Sequence, residues 1–279
     1  MADIDLQDWV GRRETLVDTA TVFPARGLAA TFNQPVEGLV QGAPVPALWS
    51  WLWFLPLAPM AEVGPDGHPK RGGFLPPIPL ERRMWAGSRI TIHDDLRLGE
   101  ELQRHSTITA ITAKEGKAGS MVFVSVAHAV HTPRGLAMEE EQDIVYLAIP
   151  KTYAPPPPSP APRAPDWSEP LAMDPVLLFR FSALTFNSHR IHYDRTYAQT
   201  VEKYPGLVVH GPLQAMALFE AARARADGRT PAQFSFRGQR PLFDHDTISL
   251  NGRTEGDNWA LYTANGEGSV AMAATLSWR

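Results

Sequence analysis

Apolar and polar positions alternate with two different periods along this chain. Leu6, Trp9, Val10, Arg13, Leu16 and Val17 fall on one face at helical spacing, which predicts an amphipathic helix over residues 4–19. Leu48-Trp49-Ser50-Trp51-Leu52-Trp53-Phe54-Leu55 is strongly apolar, and Pro44, Pro46, Pro56 and Pro59 confine it to a helix over residues 47–55. Such a helix is roughly 14 Å long, against a bilayer core of about 30 Å. It is therefore expected to be buried in protein and not to span a membrane.

After an irregular Pro/Gly-rich stretch over residues 56–79, a two-residue period takes over. Ser88–Leu96, Glu101–Lys114, Met121–His131 and Ile144–Ile149 are rich in β-branched and aromatic residues. They predict strands, with turns at Glu115-Gly116 and Pro133-Arg134-Gly135. The second half has the same grammar. Val176–Leu184 reads as a strand. Asp194 suits the cap of a short helix carrying Tyr197, Ala198 and Val201 on one side and stopped by Pro205-Gly206. Pro212–Ala226 follows as a helix that is apolar on almost every side, with Pro212 at its first position. Strands are expected near 233–238, 247–254, 258–265 and 268–278, with Gly266-Glu267-Gly268 as a hairpin turn.

Between these halves, eight of the sixteen residues from Pro150 to Pro165 are proline, which favours an extended polyproline course over the outside of a domain. The expected organisation is an N-terminal half over residues 1–149, a linker over 150–165 and a C-terminal half over 166–279. A helix apolar all round must be enclosed. A curved antiparallel sheet wrapped around it achieves this, and two such sheets joined edge to edge leave fewer bare strand edges. The predicted class is α+β, a tandem pair of helix-wrapped sheets.

Composition narrows the function. The net charge is −4 and no block of Lys or Arg occurs, which argues against nucleic acid as a partner. The absence of cysteine excludes disulfides, thiolate catalysis and cysteine-held metals. Met1-Ala2-Asp3-Ile4-Asp5 has neither the basic start and apolar core of a secretory signal nor the character of a transit peptide, so a cytoplasmic location is expected. No membrane partner is expected either.

The candidate chemistry lies in Thr185–Asp194 and Tyr204–Leu213. His192 falls on a turn between a predicted strand and a short helix, with Asn187, His189, Tyr193 and Asp194 crowding polar groups around it. An imidazole can take and return a proton at neutral pH. Gly211 lies nineteen residues further on, at a helix start whose amides point outward and whose dipole favours negative charge, as an oxyanion donor would require. Each alone has an ordinary alternative, a surface histidine or a glycine cap; their pairing favours the functional one. His189-x-x-His192-x-Asp194 offers three ligand types, but without the i, i+4 spacing or thiolates usual for a metal, and no metal is expected. No G-x-S-x-G elbow, dinucleotide fingerprint or P-loop occurs. His93-Asp94-Asp95 and Asp244-His245-Asp246 read as solvated turns.

The segments Phe181–Asp194 and Tyr204–Leu213 resemble the hydratase motif of the MaoC-like hot-dog proteins, in the branch that contains hydroxyacyl-thioester dehydratase type 2. Trp51-Leu52-Trp53-Phe54 and the run Gly67–Gly87, with His68-Pro69-Lys70-Arg71-Gly72-Gly73 and Glu81-Arg82-Arg83-Met84-Trp85, resemble bacterial hydratases of C5 dicarboxylic enoyl-CoAs. These are the 3-methylfumaryl-CoA (mesaconyl-C4-CoA) and itaconyl-CoA hydratases, which yield citramalyl-CoA. The resemblance covers most of the chain and implies a double hot-dog fold. The implied activity is reversible hydration of an α,β-unsaturated acyl-CoA, with the CoA part of the substrate and no other cofactor.

It further implies that His192 manages the proton, that Asn187 positions water and that the Gly211 amide holds the thioester oxygen. His189, Tyr193 and His210 would contact substrate. Arg82, Arg83 or Arg89 could meet a carboxylated acyl chain, and Arg237 and Arg240 could meet CoA phosphates. A homodimer is compatible with this picture. One position departs from the wider family, which carries an Asp where this chain has Asn187; an amide cannot accept that proton. Either His192 works alone or a carboxylate from elsewhere replaces the missing one. Competing functions are dehydration of fatty (3R)-hydroxyacyl thioesters, an acyl-CoA thioesterase releasing free thiol, and a non-catalytic acyl-thioester binding module.

Overall fold

The computed structural model describes residues 5–116, 119–161 and 163–279. Residues 1–4, the start of the expected first helix included, and Pro162 of the linker lie outside them. Five strands of the first half and five of the second form a single ten-stranded antiparallel sheet. In chain order the first five are β1 (Arg13–Thr19), β3 (Arg82–Ile92), β5 (Glu101–Gly116), β6 (Gly119–Thr132) and β7 (Gly135–Leu147). The second five are β8 (Trp167–Leu171), β9 (Pro231–Gly238), β10 (Ile248–Glu255), β11 (Asn258–Asn265) and β12 (Val270–Trp278). β2 (Pro44–Val45) and β4 (Leu96–Arg97) form a separate two-stranded ribbon. The large sheet runs β1-β5-β6-β7-β3-β9-β12-β11-β10-β8. Its seam is the antiparallel pairing of β3 with β9, from Gly87 opposite Arg237 to Thr91 opposite Gln233.

The described residues form four α-helices: α1 (Val22–Thr31), α2 (Pro175–Leu184), α3 (Arg195–Thr200) and α4 (Gly211–Arg223), of which α1 packs on α2 and α4 on the sheet. Every residue of α4 from Leu213 to Ala222 is buried, and the helix contacts β9, β10, β11 and β12 as well as β3 across the seam. This is the enclosure its all-round apolar surface demands. His210 is its cap, Gly211 its first residue and Pro212 its second, one position later for the proline than expected.

Three expectations are corrected. Residues 13–19 are a strand, not part of a helix: Leu6–Trp9 is a single 3-10 turn, Gly11 has φ +86, and half-buried Glu14, Leu16 and Asp18 then alternate with exposed Thr15, Val17 and Thr19 along a strand paired with β5. The tryptophan-rich segment is a 3-10 turn over Ala47–Leu52, and the first half's regular helix is instead α1, which the sequence reading missed. Val176–Leu184 is helical. The Asp174 carboxylate accepts from the Leu177 N–H at 2.7 Å and Pro175 follows it, so a cap and a preset first turn override the β-rich look of the run. β7 also begins well before Ile144. The run Glu139-Glu140-Glu141 hides it, because only Glu140 turns inward, where Trp51 and Ser88 donate hydrogen bonds to it.

Among the described residues no helix is long and apolar enough to cross a membrane.

Candidate active site

His192 sits in a 3-10 turn (Arg190–His192) between α2 and α3, so its flanking elements are both helices. Asp194 caps α3 by accepting from the Tyr197 N–H at 3.0 Å, as expected. The imidazole is buried, and its Nδ1 lies 2.7 Å from the Val208 carbonyl. A carbonyl only accepts, so Nδ1 carries the proton and Nε2 is a free acceptor. Burial above all, then the charges of His210 and His189, hold its pKa well below the ordinary histidine value. His192 is therefore a neutral base at neutral pH.

Three further imidazoles continue from it. His210 stacks on His192 with ring centres 3.6 Å apart, and its Nε2 lies 2.8 Å from the Ser182 hydroxyl. Burial pushes His210 down to about 3. On the other side His189 meets His192 edge-on at 5.5 Å and is followed by His68, 4.1 Å from His189. His68 hydrogen-bonds through Nδ1 to the Asp66 carboxylate at 3.0 Å. Its pKa falls to about 3, mainly by burial, which outweighs the Asp66 hydrogen bond. That same hydrogen bond and charge bring Asp66 down to about 2 despite its own burial.

The Asp66–His68 turn belongs to the first half and is fastened to the second. The Arg190 N–H donates to the Asp66 carbonyl at 2.9 Å, the Arg190 guanidinium to the Pro65 carbonyl at 3.1 Å, and the Ser188 hydroxyl to the Gly67 carbonyl. A Cβ on Gly67 would lie 1.8 Å from the Ser188 carbonyl oxygen, and its φ is +92. Only glycine permits that approach.

Asn187 uses its side-chain oxygen to accept from the His189 N–H at 3.0 Å, which leaves its NH2 as a donor. It cannot replace a carboxylate. Glu202 lies 3.7 Å from His189 Nε2 and is also held by Arg82, whose Nε donates at 2.7 Å. Burial would raise Glu202, but nearby His189 and the hydrogen bond and charge of Arg82 outweigh it and keep its pKa low. Ligand atoms of Asp66, His68 and His189 lie within 4.8 Å of one another and could hold a cation. The triplet is different from the His189, His192, Asp194 set that the sequence offered: Asp194 is engaged instead by Arg190 and the start of α3.

These groups open onto a cavity of about 1430 Å³, larger than the roughly 300–1,000 Å³ of most small-ligand sites. Its wall includes His68, Asn187, His189, His192, Tyr193 and Gly211, so the two chemical groups paired from the sequence do share one space. Gly211 contributes the first amide of α4, one of the helix N–H groups with no intrahelical acceptor. Arg82, Arg83 and Arg240 also reach the wall, as do the aromatic residues Trp51, Trp53, Phe54 and Trp85. Three expected contacts are placed elsewhere. His210 is packed behind His192 and Arg237 is exposed on β9, neither lining the cavity; Arg89 is spent on Asp143 at 2.9 Å and on Glu141.

A sequence model of hydroxyacyl-thioester dehydratase type 2 matches residues 48–244, which spans the 3-10 turn, the imidazole row and the start of α4. The chain belongs to the hydroxyacyl-thioester dehydratase type 2 family. Within reach of this family it is similar to the mesaconyl-C(4)-CoA hydratase of Chloroflexus aurantiacus, with 46% identity over 277 residues, 99% of either chain. Among solved structures it is similar to a MaoC-like dehydratase, with a TM-score of 0.74, 13% identity and 99% of each chain covered. It also matches a Mycobacterium tuberculosis protein described as a double hotdog fold, with a TM-score of 0.60, 11% identity, and 98% and 97% of the two chains covered. The α+β double hot-dog expected from the sequence is thus the fold of this family member. Its two halves share one sheet.

Sequence reasoning passed over Asp66, His68 and Glu202. His68 stood within a recognised motif, yet no local spacing connects it to His189, 121 positions away. Gly67 was the available signal: a glycine between an acid and a histidine, where a tight turn brings both side chains to one side.

Proposed function

We propose that this protein is a hydratase that adds water reversibly to the double bond of an enoyl-CoA thioester, and that its substrate is a branched C5 dicarboxylic one, mesaconyl-C4-CoA or itaconyl-CoA, giving citramalyl-CoA. The observation that carries the proposal is a neutral imidazole with a bare Nε2 and a helix-start amide on one cavity, in a chain 46% identical along its whole length to a mesaconyl-C(4)-CoA hydratase. His192 Nε2 takes a proton from water as the oxygen bonds to the β-carbon. With mesaconyl-C4-CoA, whose double bond is conjugated with the thioester, the double-bond electrons move onto the thioester, whose oxygen gains charge against the Gly211 N–H and the α4 dipole. The α-carbon then takes up a proton, so that one water is added and the imidazole is neutral again.

Asn187 directs water with its NH2. The acid that position 187 lacks is supplied by Asp66, which fixes the Nδ1–H of His68 and leaves a second neutral imidazole available for the proton. No cofactor beyond the substrate's own CoA enters the proposal. Cytoplasmic location and a homodimeric assembly belong to it too, with gel filtration as the check on the assembly.

The test is a panel of mesaconyl-C4-CoA, itaconyl-CoA and crotonyl-CoA, followed by loss of enoyl-thioester absorbance and by mass for added water. His192→Ala should abolish turnover, and near-normal rates in that variant would refute the assignment. The family description favours one other substrate class, fatty (3R)-hydroxyacyl thioesters, and a strong preference for crotonyl-CoA would select it.

A further inference from the structure

The cavity wall holds more cations than carboxylates: Lys70, Arg71, Arg82, Arg83, Arg104 and Arg240 against Glu14 and Glu140, and Lys70 donates to the Ala61 carbonyl at 2.7 Å. Among the described residues, only Arg82 of these arginines pairs with a carboxylate, and what distinguishes the others is what each one faces. Arg82 is buried, pairs with the Glu202 carboxylate and backbone carbonyl, and lies 4.3 Å from the Tyr204 ring centre. Arg71 donates to the Ile78 and Glu81 carbonyls. Arg104 lies over the Phe54 ring at 5.0 Å, in the field of Glu14 and Glu140, which already supply it with negative charge, and among the described residues its Nε has no hydrogen-bond partner. Arg240 acts on Tyr153, in the linker, and among the described residues its Nη1 has no partner either.

Arg83 is different. Successive strand residues point to opposite faces, so Arg83 leaves β3 on the side opposite to Arg82. Among the described residues no carboxylate pairs with it. It stands directly across from Tyr146 in the β3–β7 register. Tyr146 is wholly buried and lines the cavity, and its hydroxyl has no partner of ideal geometry. The Arg83 charge is felt both by that phenol and by His68. The chain between them is short: three residues after His68, the Arg71 guanidinium lies 5.7 Å from the Tyr146 ring centre. An uncommitted guanidinium and a buried phenol thus converge on the wall close to the imidazole row.

We propose that Arg83 and the Tyr146 hydroxyl form the seat for the free carboxylate of the acyl chain. The guanidinium N–H groups donate to the carboxylate, and the phenol O–H, with its oxygen turned to Arg83, donates as well. This rests on the dicarboxylic substrate proposed above and assigns the group that selects it. A free carboxylate entering this partly buried place finds its counter-charge waiting; an unsubstituted acyl chain leaves the guanidinium unpaired.

The test compares kcat/KM on mesaconyl-C4-CoA and on crotonyl-CoA for wild type, Arg83→Met, Arg83→Lys and Tyr146→Phe. Loss of a charge-assisted hydrogen-bonded partner is expected to cost Arg83→Met about 10²-fold on mesaconyl-C4-CoA, with crotonyl-CoA changed by less than roughly threefold. Arg83→Lys should recover part of the loss, because the charge returns without the fork. Tyr146→Phe, which keeps the ring, should lose roughly tenfold on the dicarboxylic substrate alone. If Arg83→Met keeps the wild-type preference, or lowers both substrates equally, the seat is elsewhere while the dicarboxylic assignment stands. If the wild type itself prefers crotonyl-CoA, the dicarboxylic assignment falls and the seat falls with it.

Discussion

Acid should unfold this protein early, and the buried imidazoles set how early. His68 and His210 have pKa values pushed down to about 3, His128 to about 4, and His192 well below its ordinary value, each chiefly by burial. All four are therefore neutral in the folded chain at pH 5.5. In the unfolded chain each titrates near 6.5. Below that value the unfolded state binds protons that the folded state refuses, so stability is intact above about pH 6.5 and falls as the pH drops. At pH 5.5 each group forfeits about 1.4 kcal/mol, or roughly 5–6 kcal/mol for the four. Glu140 acts in the opposite direction, since burial raises its pKa and the folded state takes its proton first. Less what Glu140 returns, the loss between pH 7.5 and 5.5 is a large part of the about 5–15 kcal/mol that holds a typical domain together. Urea unfolding at the two pH values, read from midpoints at constant slope, measures it. His128→Gln, outside the imidazole row, should remove about 1.4 kcal/mol of the difference. Stability that stays level within about 1 kcal/mol over this range would show that these rings are not held neutral, and the assignment of His192 as a neutral base would lose its support.

Other perturbations separate the parts of the site. Gly67→Ala should cut turnover at least about 10²-fold, because displacing the turn by even 1 Å misplaces Asp66 and His68; unchanged kinetics would mean the turn is not needed. Arg82→Met leaves Glu202 charged and buried without its main partner and should cost roughly 3–5 kcal/mol in urea unfolding, whereas a loss below about 1 kcal/mol would show that the pair is not closed. Asp66→Asn should lower kcat roughly 10–10²-fold with KM little changed, as expected for a group that orients a proton carrier. Dialysis against a chelator should leave the wild-type rate unchanged. A loss restored by a divalent ion would instead make Asp66, His68 and His189 a metal site.

What the sequence could tell was set by how far its signals reach along the chain. The α4 helix, the Asp194 cap and the last four strands are written in neighbouring residues and are found, whereas β8 (Trp167–Leu171) is not among the expected elements. Val176–Leu184 has the apolar run of a strand, but Asp174-Pro175 immediately before it caps and presets a first helical turn, and that short signal outweighs the run. Gly11 likewise breaks the helical pattern of the first segment, since the four-residue turn before it and the strand after it each carry apolar residues at spacings that mimic one amphipathic face. The site itself is legible only in part, because its second half lies on a turn more than a hundred residues from His192. Gly67 links the two. With any side chain there, the Ser188 carbonyl could not come as close as it does, the Asp66 carbonyl could not accept from the Arg190 amide at 2.9 Å, and the tilted His68 and His189 rings could not meet at 4.1 Å. In the proposed mechanism a carboxylate missing from position 187 and a glycine at position 67 are one feature seen from two places: the Asp66 carboxylate reaches the imidazole row on a turn that Gly67 makes tight enough.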